Sequence, residues 1–149
     1  MAIARGAGTE IIRCIHMRVV DSTSSTLIFG VKHHIYTVLS IIVHADTVQA
    51  DGNYVKCSLI AYGSKEGNSG DTMDIFQQDM SANQTYVWND KFSFNGTEPT
   101  DFTGPMDDAT KQDAIADQGS SVVQYLQILT EHADDDMDVL CTYIDQNNA

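Results

Sequence analysis

The side chains with the most obvious chemical potential in this sequence are carboxylates. The run HADDDMD sets Asp134, Asp135, Asp136 and Asp138 close together. Clustered carboxylates in a loop suit a hard cation such as calcium. The run lacks the glycine and closing glutamate of an EF-hand loop, so a solvated acidic turn is the favoured reading and a weak calcium site the alternative. Asp107, Asp108 and Asp113 invite the same question, but acids at a helix start already complement the helix dipole. His33 and His34 are adjacent. On an extended chain they point to opposite faces and cannot hold one ion together, so they are expected at a surface or an edge. His16, His44 and His132 are isolated. Cys14, Cys57 and Cys141 each lie in an apolar run with no CxxC spacing, which predicts buried thiols rather than a zinc site or a disulfide framework. No GxSxG, P-loop or GxGxxG motif is present. A carboxylate pair of the kind that hydrolyses glycosides has little meaning among 21 acids. The expectation is a protein without catalytic residues, metal or cofactor.

The elements that must position these groups read as strands. Residues 10–20 alternate, with Ile11, Arg13, Ile15, Met17 and Val19 on one face and Ile12, Cys14, His16, Arg18 and Val20 on the other. Residues 26–31 form a second short strand after a DSTSS turn. Residues 35–45 (IYTVLSIIVHA) are the most apolar and most β-branched stretch, and predict a central strand buried on both faces. Strands at 54–62 and 72–78 follow, separated by a Gly-rich loop. Residues 120–130 and 137–145 predict the last two strands, joined by EHADDD as an antiparallel hairpin. About eight strands at this spacing, with no βαβ rhythm, predict an all-β antiparallel sandwich of jelly-roll type.

Two segments break the pattern. Residues 1–9 (MAIARGAGT) read as a flexible arm, with Ile3, Arg5, Gly6 and Gly8 as candidates for linking neighbouring subunits. Residues 96–119 hold both prolines and carry five Asp and one Glu against one Lys. They read as an acidic insertion in a single domain spanning 10–146, with a short helix near 105–118 started by Pro105 and closed by Gly119.

The stretch SANQTYVWNDKFSF holds Trp88, the only tryptophan. Tyr86, Trp88, Phe92 and Phe94 share one strand parity, which predicts an aromatic face that anchors a core or an interface. Asn89, Asp90 and Lys91 predict a bulge or bend within it.

Charge narrows the partners. The net charge is −13, with 8 Lys+Arg, too few to build a large basic patch that would displace counterions, so free nucleic acid is not an expected partner. The acids are 17 Asp and 4 Glu, and Asp favours turns over helix interiors. There is no apolar run of bilayer-spanning length and no signal-peptide core at the N-terminus. Synthesis in a cytoplasm without membrane attachment is expected.

The order HHIYTVLSIIV, YVKCSLIAY, IFQQDMSANQTYVWNDKFSF and VLCTYIDQ resembles small β-sandwich virion proteins of tailed phages, most of all myovirus-type marine or cyanobacterial phages. In those proteins a YTV-type opening strand, a turn like SANQTYVW and a closing V…YI strand build the sandwich. The resemblance covers residues 30–95 and 120–146, and the N-terminal arm and acidic insertion depart from it. It implies a capsid decoration or cement protein located in the virion, with major capsid subunits as partners and a homo-oligomer, for instance a trimer. The alternatives are a neck or tail accessory protein, or a carbohydrate- or host-surface-binding module. The resemblance carries over no functional residue.

Overall fold

The computed structural model describes residues 9–19, 22–62, 70–98 and 122–147. The arm residues Ile3, Arg5, Gly6 and Gly8 and the helix expected near 105–118 lie outside them.

All described regular structure is β. The strands are β1 (Thr9–Val19), β2 (Ser25–Phe29), β3 (His34–Thr47), β4 (Tyr54–Ala61), β5 (Asp71–Asp79), β6 (Thr85–Trp88), β7 (Phe92–Asn95), β8 (Thr97–Glu98), β9 (Val122–Val123), β10 (Tyr125–Thr130) and β11 (Asp136–Asn147). One sheet runs β1–β11–β3–β6, with β7 also on the β6 side of β3. The other runs β2–β10–β4–β5, and β8 pairs with β9 apart from both. Every pairing is antiparallel. The pairs β1/β11, β2/β10, β3/β6 and β4/β5 are nested, outermost with outermost along the chain.

Alternation builds the core. Ile41, Val43 and Ala45 of β3 and Met137, Val139 and Cys141 of β11 face Val55, Cys57 and Leu59 of β4 and Leu126 and Ile128 of β10, and all are buried. Apolar residues at every second position give each sheet one dry face, and two such faces closing on each other make a sandwich.

Gly30, Gly96 and Gln124 tie the two sheets together at one end. The Gly30 N–H donates to the Gln124 carbonyl (3.0 Å), the Gln124 N–H to the Gly96 carbonyl (2.9 Å), and the Gly96 N–H to the His34 carbonyl (2.8 Å). A Cβ on Gly30 would run into the Gly96 and Gln124 carbonyls, and one on Gly96 into the Val31 backbone. Only glycine allows this approach. The buried Gln124 side chain completes the joint. Its Nε2 donates to the Asn95 carbonyl and side chain, and its Oε1 accepts from the Tyr62 N–H.

The structure corrects several expectations. The segments at 120–130 and 137–145 do not form a hairpin, because β10 and β11 lie in different sheets and the intervening loop crosses between them. The first of these segments is split at Gln124 into β9 and β10. β3 is central but buried on one face only; its other face is half-exposed. Thr9 already belongs to β1, and Gly96, Thr97 and Glu98 belong to the strand framework rather than to an insertion. Cys57 and Cys141 are buried, and burial raises both thiol pKa values, that of Cys141 to about 12. Cys14 is exposed, because β1 is the end strand and this residue lies on its outer face.

Trp88 sits where the two sheets meet along one side. It pairs with Ile41, and Phe92 pairs with Val38, so residues 89–91 oppose only Leu39 and Ser40. The one-residue excess is a bulge; it falls where β3 is itself irregular against β11, so that Trp88 and Phe92, which share a parity, pair with Ile41 and Val38, both buried. Trp88 stacks on Phe76 of β5 (6.2 Å) and meets Phe92 edge-on (5.6 Å), while Tyr86 packs on Phe76 (5.3 Å). The series continues through Phe94 to Tyr36. This aromatic seam closes the open side between β5 and β6. Trp88→Ala should lower unfolding free energy by about 2–4 kcal/mol, whereas Val87→Ala, at an exposed position, should change it by less than about 0.5 kcal/mol. Chemical denaturation of both variants checks this, and equal losses would mean that Trp88 seals nothing.

Candidate functional site

Three polar groupings stand out, and all are built from strand residues or strand ends. The first lies where β3 begins and β11 ends. Asp145 is buried and accepts from Arg13 Nε of β1 (2.8 Å) through Oδ2, while its Oδ1 lies 2.6 Å from His34 Nδ1 of β3. One carboxylate thus links three neighbouring strands. Tyr36 and Tyr143 pack edge-on beside it (6.0 Å). The Tyr36 phenol is pushed up to about 12, first by burial and then by the Asp145 charge; Tyr143 is also raised, chiefly by burial. A His–Asp pair can orient an imidazole as a base. Here the second carboxylate oxygen is taken by a guanidinium, and the surrounding groups are phenols held neutral. The arrangement is that of a lock between strands.

The second grouping is on the outer face of the same sheet. Arg18 of β1 makes a two-point ion pair with Asp136, which holds that carboxyl below its ordinary value of 3.8. Asp138 stands opposite both Arg18 and His44 in register. Asp46 is raised above 3.8, first through its hydrogen bond to Asp138 and further by the Asp138 charge. His44 Nε2 lies 3.5 Å from Asp46, and His16 Nε2 lies 3.9 Å from Asp138.

The third explains the HADDDMD run. Asp135 is fully buried. It accepts from the backbone N–H of Gln49 (2.8 Å) and of His132 (2.9 Å), and from Asn53 Nδ2 (3.2 Å). It therefore fastens the β3–β4 turn to the β10–β11 crossing, and is no part of a solvated turn. Asp134 is exposed beside His132, Asp136 is bound by Arg18, and Asp138 faces Asp46. The four carboxylates go separate ways, and no cluster able to hold a metal ion forms among the described residues. Tyr86, Trp88, Phe92 and Phe94 are brought together, as the seam described above. Sequence reasoning missed the Arg13–Asp145–His34 lock and expected His34 at a surface or an edge, whereas its side chain is largely buried on a strand paired on both sides.

No protein-family model matches the sequence, and no curated protein matches it. Solved structures give loose likenesses. A chain from a structure described as "Bacillus endospore appendages form a novel family of disulfide-linked pili" is 11% identical, with a TM-score of 0.44, over 100% of this chain and 97% of that one. A chain of the infectious bursal disease virus Gt strain is 7% identical, with a TM-score of 0.37, over 96% of this chain and 29% of that one. A chain of the T13 particle of the same virus is 6% identical, with a TM-score of 0.34, over 95% and 31%. At these values the likenesses carry no inference about family or activity.

Two outcomes test these groupings. Asp145→Ala should cost roughly 2–3 kcal/mol of unfolding free energy, below the full value for a buried pair because Arg13 is half-exposed; a loss within error of zero would show that the lock is decorative. The acid pair gives a pH signature. Because the folded state raises the Asp46 pKa, its contribution is fully present below the ordinary value of 3.8 and is lost as pH rises through the raised value. Asp136 is shifted the other way, so its contribution is lost only as pH falls below 3.8. Asp46→Asn should therefore flatten the stability curve on the neutral side of 3.8 and leave the more acidic limb intact. Denaturation midpoints across pH measure this, and superimposable curves would remove the Asp46–Asp138 hydrogen bond.

Proposed function

We propose that this chain is a jelly roll that serves as a non-enzymatic structural subunit of a virion, and specifically a capsid decoration or cement protein acting through subunit contacts. The strand order carries the reading. Nested pairs β1/β11, β2/β10, β3/β6 and β4/β5, rolled into sheets β1–β11–β3–β6 and β2–β10–β4–β5, follow a single long hairpin wrapped into two sheets, with β7 continuing the β6 edge along β3. Viral capsid domains use this wrapping, as do lectins. Fold alone does not fix function. The polar groupings add support, because Arg13, His34, Asp135, Asp136 and Asp145 are each committed to bonds between strands or turns. The phage-type resemblance of the strand and turn motifs points the same way.

Mass-spectrometric stoichiometry of purified particles tests it. A copy number comparable to that of the major capsid protein is expected. A few copies per particle would move the protein to the neck or tail. Absence from particles, together with retention on a glycan array, would replace the reading with a surface-binding module.

A further inference from the structure

Sheet edges need protection from pairing with other chains, which charge, bulges, short strands or prolines normally supply. Among the described residues, three of the four edges of this sandwich have a bulge, a slip or a break. β2 is five residues long, and its pairing with β10 slips at Leu126/Gln127. β5 carries Asp71, Asp74 and Asp79 and has a bulge opposite Cys57/Ser58. The β6–β7 edge is broken at residues 89–91. β1 is different. It is eleven residues long and pairs with β11 in unbroken register from Thr9↔Asn147 to Val19↔Met137. No described strand pairs with its other edge. It exposes Ile11 and Ile12, the latter at 71%, the highest value for a large apolar side chain among the described residues. Its charges, Glu10, Arg13 and Arg18, are of both signs and sum to +1, whereas β5, the other long edge strand, carries three acids and no base and would repel its own copy.

We propose that β1 pairs with β1 of a second copy, antiparallel across a two-fold axis at Cys14, joining two sheets into one. This deepens the structural-subunit reading and rests on it. Two-fold contacts must be self-complementary, and the sequence of β1 is so in one register. Cys14 is the midpoint of Thr9–Val19. Centring there pairs all eleven residues. It sets Glu10 opposite Arg18 of the second copy, twice by symmetry, and Ile12 opposite His16. The Arg18 guanidinium has five N–H donors, and Asp136 occupies those at Nε and Nη2. Moving the centre to Arg13 sets Arg13 against Arg13, and moving it to Ile15 sets Arg18 against Ile12; both lose the opposite-charge pairs that stabilise cross-strand neighbours. An odd slip turns outer faces against inner ones. Antiparallel pairing supplies roughly one backbone hydrogen bond per paired residue, and the apolar Ile12 side chains add burial on the outer face.

The register makes a chemical mark possible. Residues on the two-fold axis face each other with Cα atoms about 4.5 or 5.5 Å apart, and both separations lie within disulfide range. Cys57 and Cys141 are buried, so in the folded protein a diamide-induced cross-link between copies would run through Cys14. The full chain is examined by sedimentation equilibrium and by diamide oxidation with non-reducing electrophoresis. A dimer is expected that becomes covalent on oxidation, loses the cross-link in Cys14→Ser, and dissociates in Ile12→Lys, whose melting temperature as a monomer confirms that it folds. A chain that stays monomeric at high micromolar concentration overturns the proposal. So does any oligomer whose Cys14 remains reactive to a thiol reagent yet forms no cross-link. A monomer still recovered from particles would end the β1 pairing and leave the virion reading standing; a cross-linked dimer absent from particles would do the reverse.

Discussion

The Asp145 carboxylate is the point on which the first sheet depends. β1 is the end strand and has few core contacts of its own: only Val19 is buried, with Ile15 and Met17 partly so. Backbone pairing with β11 sets its register, but an edge strand held by one ladder frays. Asp145 holds the end that has no buried apolar residue, by binding Arg13 from β1 and His34 from β3 at once. At the other end Arg18 grips Asp136 on the outer face. β1 is thus clamped at both ends, once from the inside and once from the outside. An edge held straight over eleven residues is a template; a frayed one is not.

The same logic explains why the polar residues are where they are. In a sandwich wrapped from nested pairs, most connections cross from one sheet to the other, and their backbone groups must be satisfied where the core ends. Asp135 does this at the β10–β11 crossing, and Gln124 at the opposite joint with Gly30 and Gly96. Each is a buried polar side chain with its bonds made, so each fixes one wrapping over its alternatives at the cost of desolvation. Asp135, which the sequence offers as part of a candidate cation site, is in the folded chain the fastening of a turn.

Periodicity made the strands legible and left their partners hidden. The alternation in residues 10–20, 54–62 and 137–145 was enough to place β1, β4 and β11 within a residue or two, and the shared parity of Tyr86, Trp88, Phe92 and Phe94 revealed the aromatic seam. The hairpin expected at EHADDD failed for an instructive reason. Short loops favour neighbours in one sheet, but Asp135 is drawn inward by donors from residues 49–53, which no local pattern reveals. The Arg13–Asp145–His34 lock left a fainter mark. Arg13 falls on the same parity as Ile11, Ile15, Met17 and Val19, and Asp145 on that of Val139, Cys141 and Tyr143. A charged residue on the dry parity of a strand needs a partner on another strand. Two such residues of opposite sign, near the ends of strands that turn out to be adjacent, were the available signal; their adjacency came only with the topology.

That topology also decides which edge can serve assembly. The alternating faces of β1, taken alone, suggested a strand like the others. Its place at the end of the sheet leaves Cys14 and Ile12 exposed, where the sequence had predicted buried thiols, and it does so on the one long edge free of bulge or break. A chain with 21 acids has ample means to repel a neighbour along any strand it chooses. The other long edge strand, β5, carries three aspartates; β1 carries one acid and two arginines arranged so that reversal about its centre brings opposite charges together. Selection against aggregation leaves edges guarded. An edge left regular, apolar and self-complementary has the physical character of an interface.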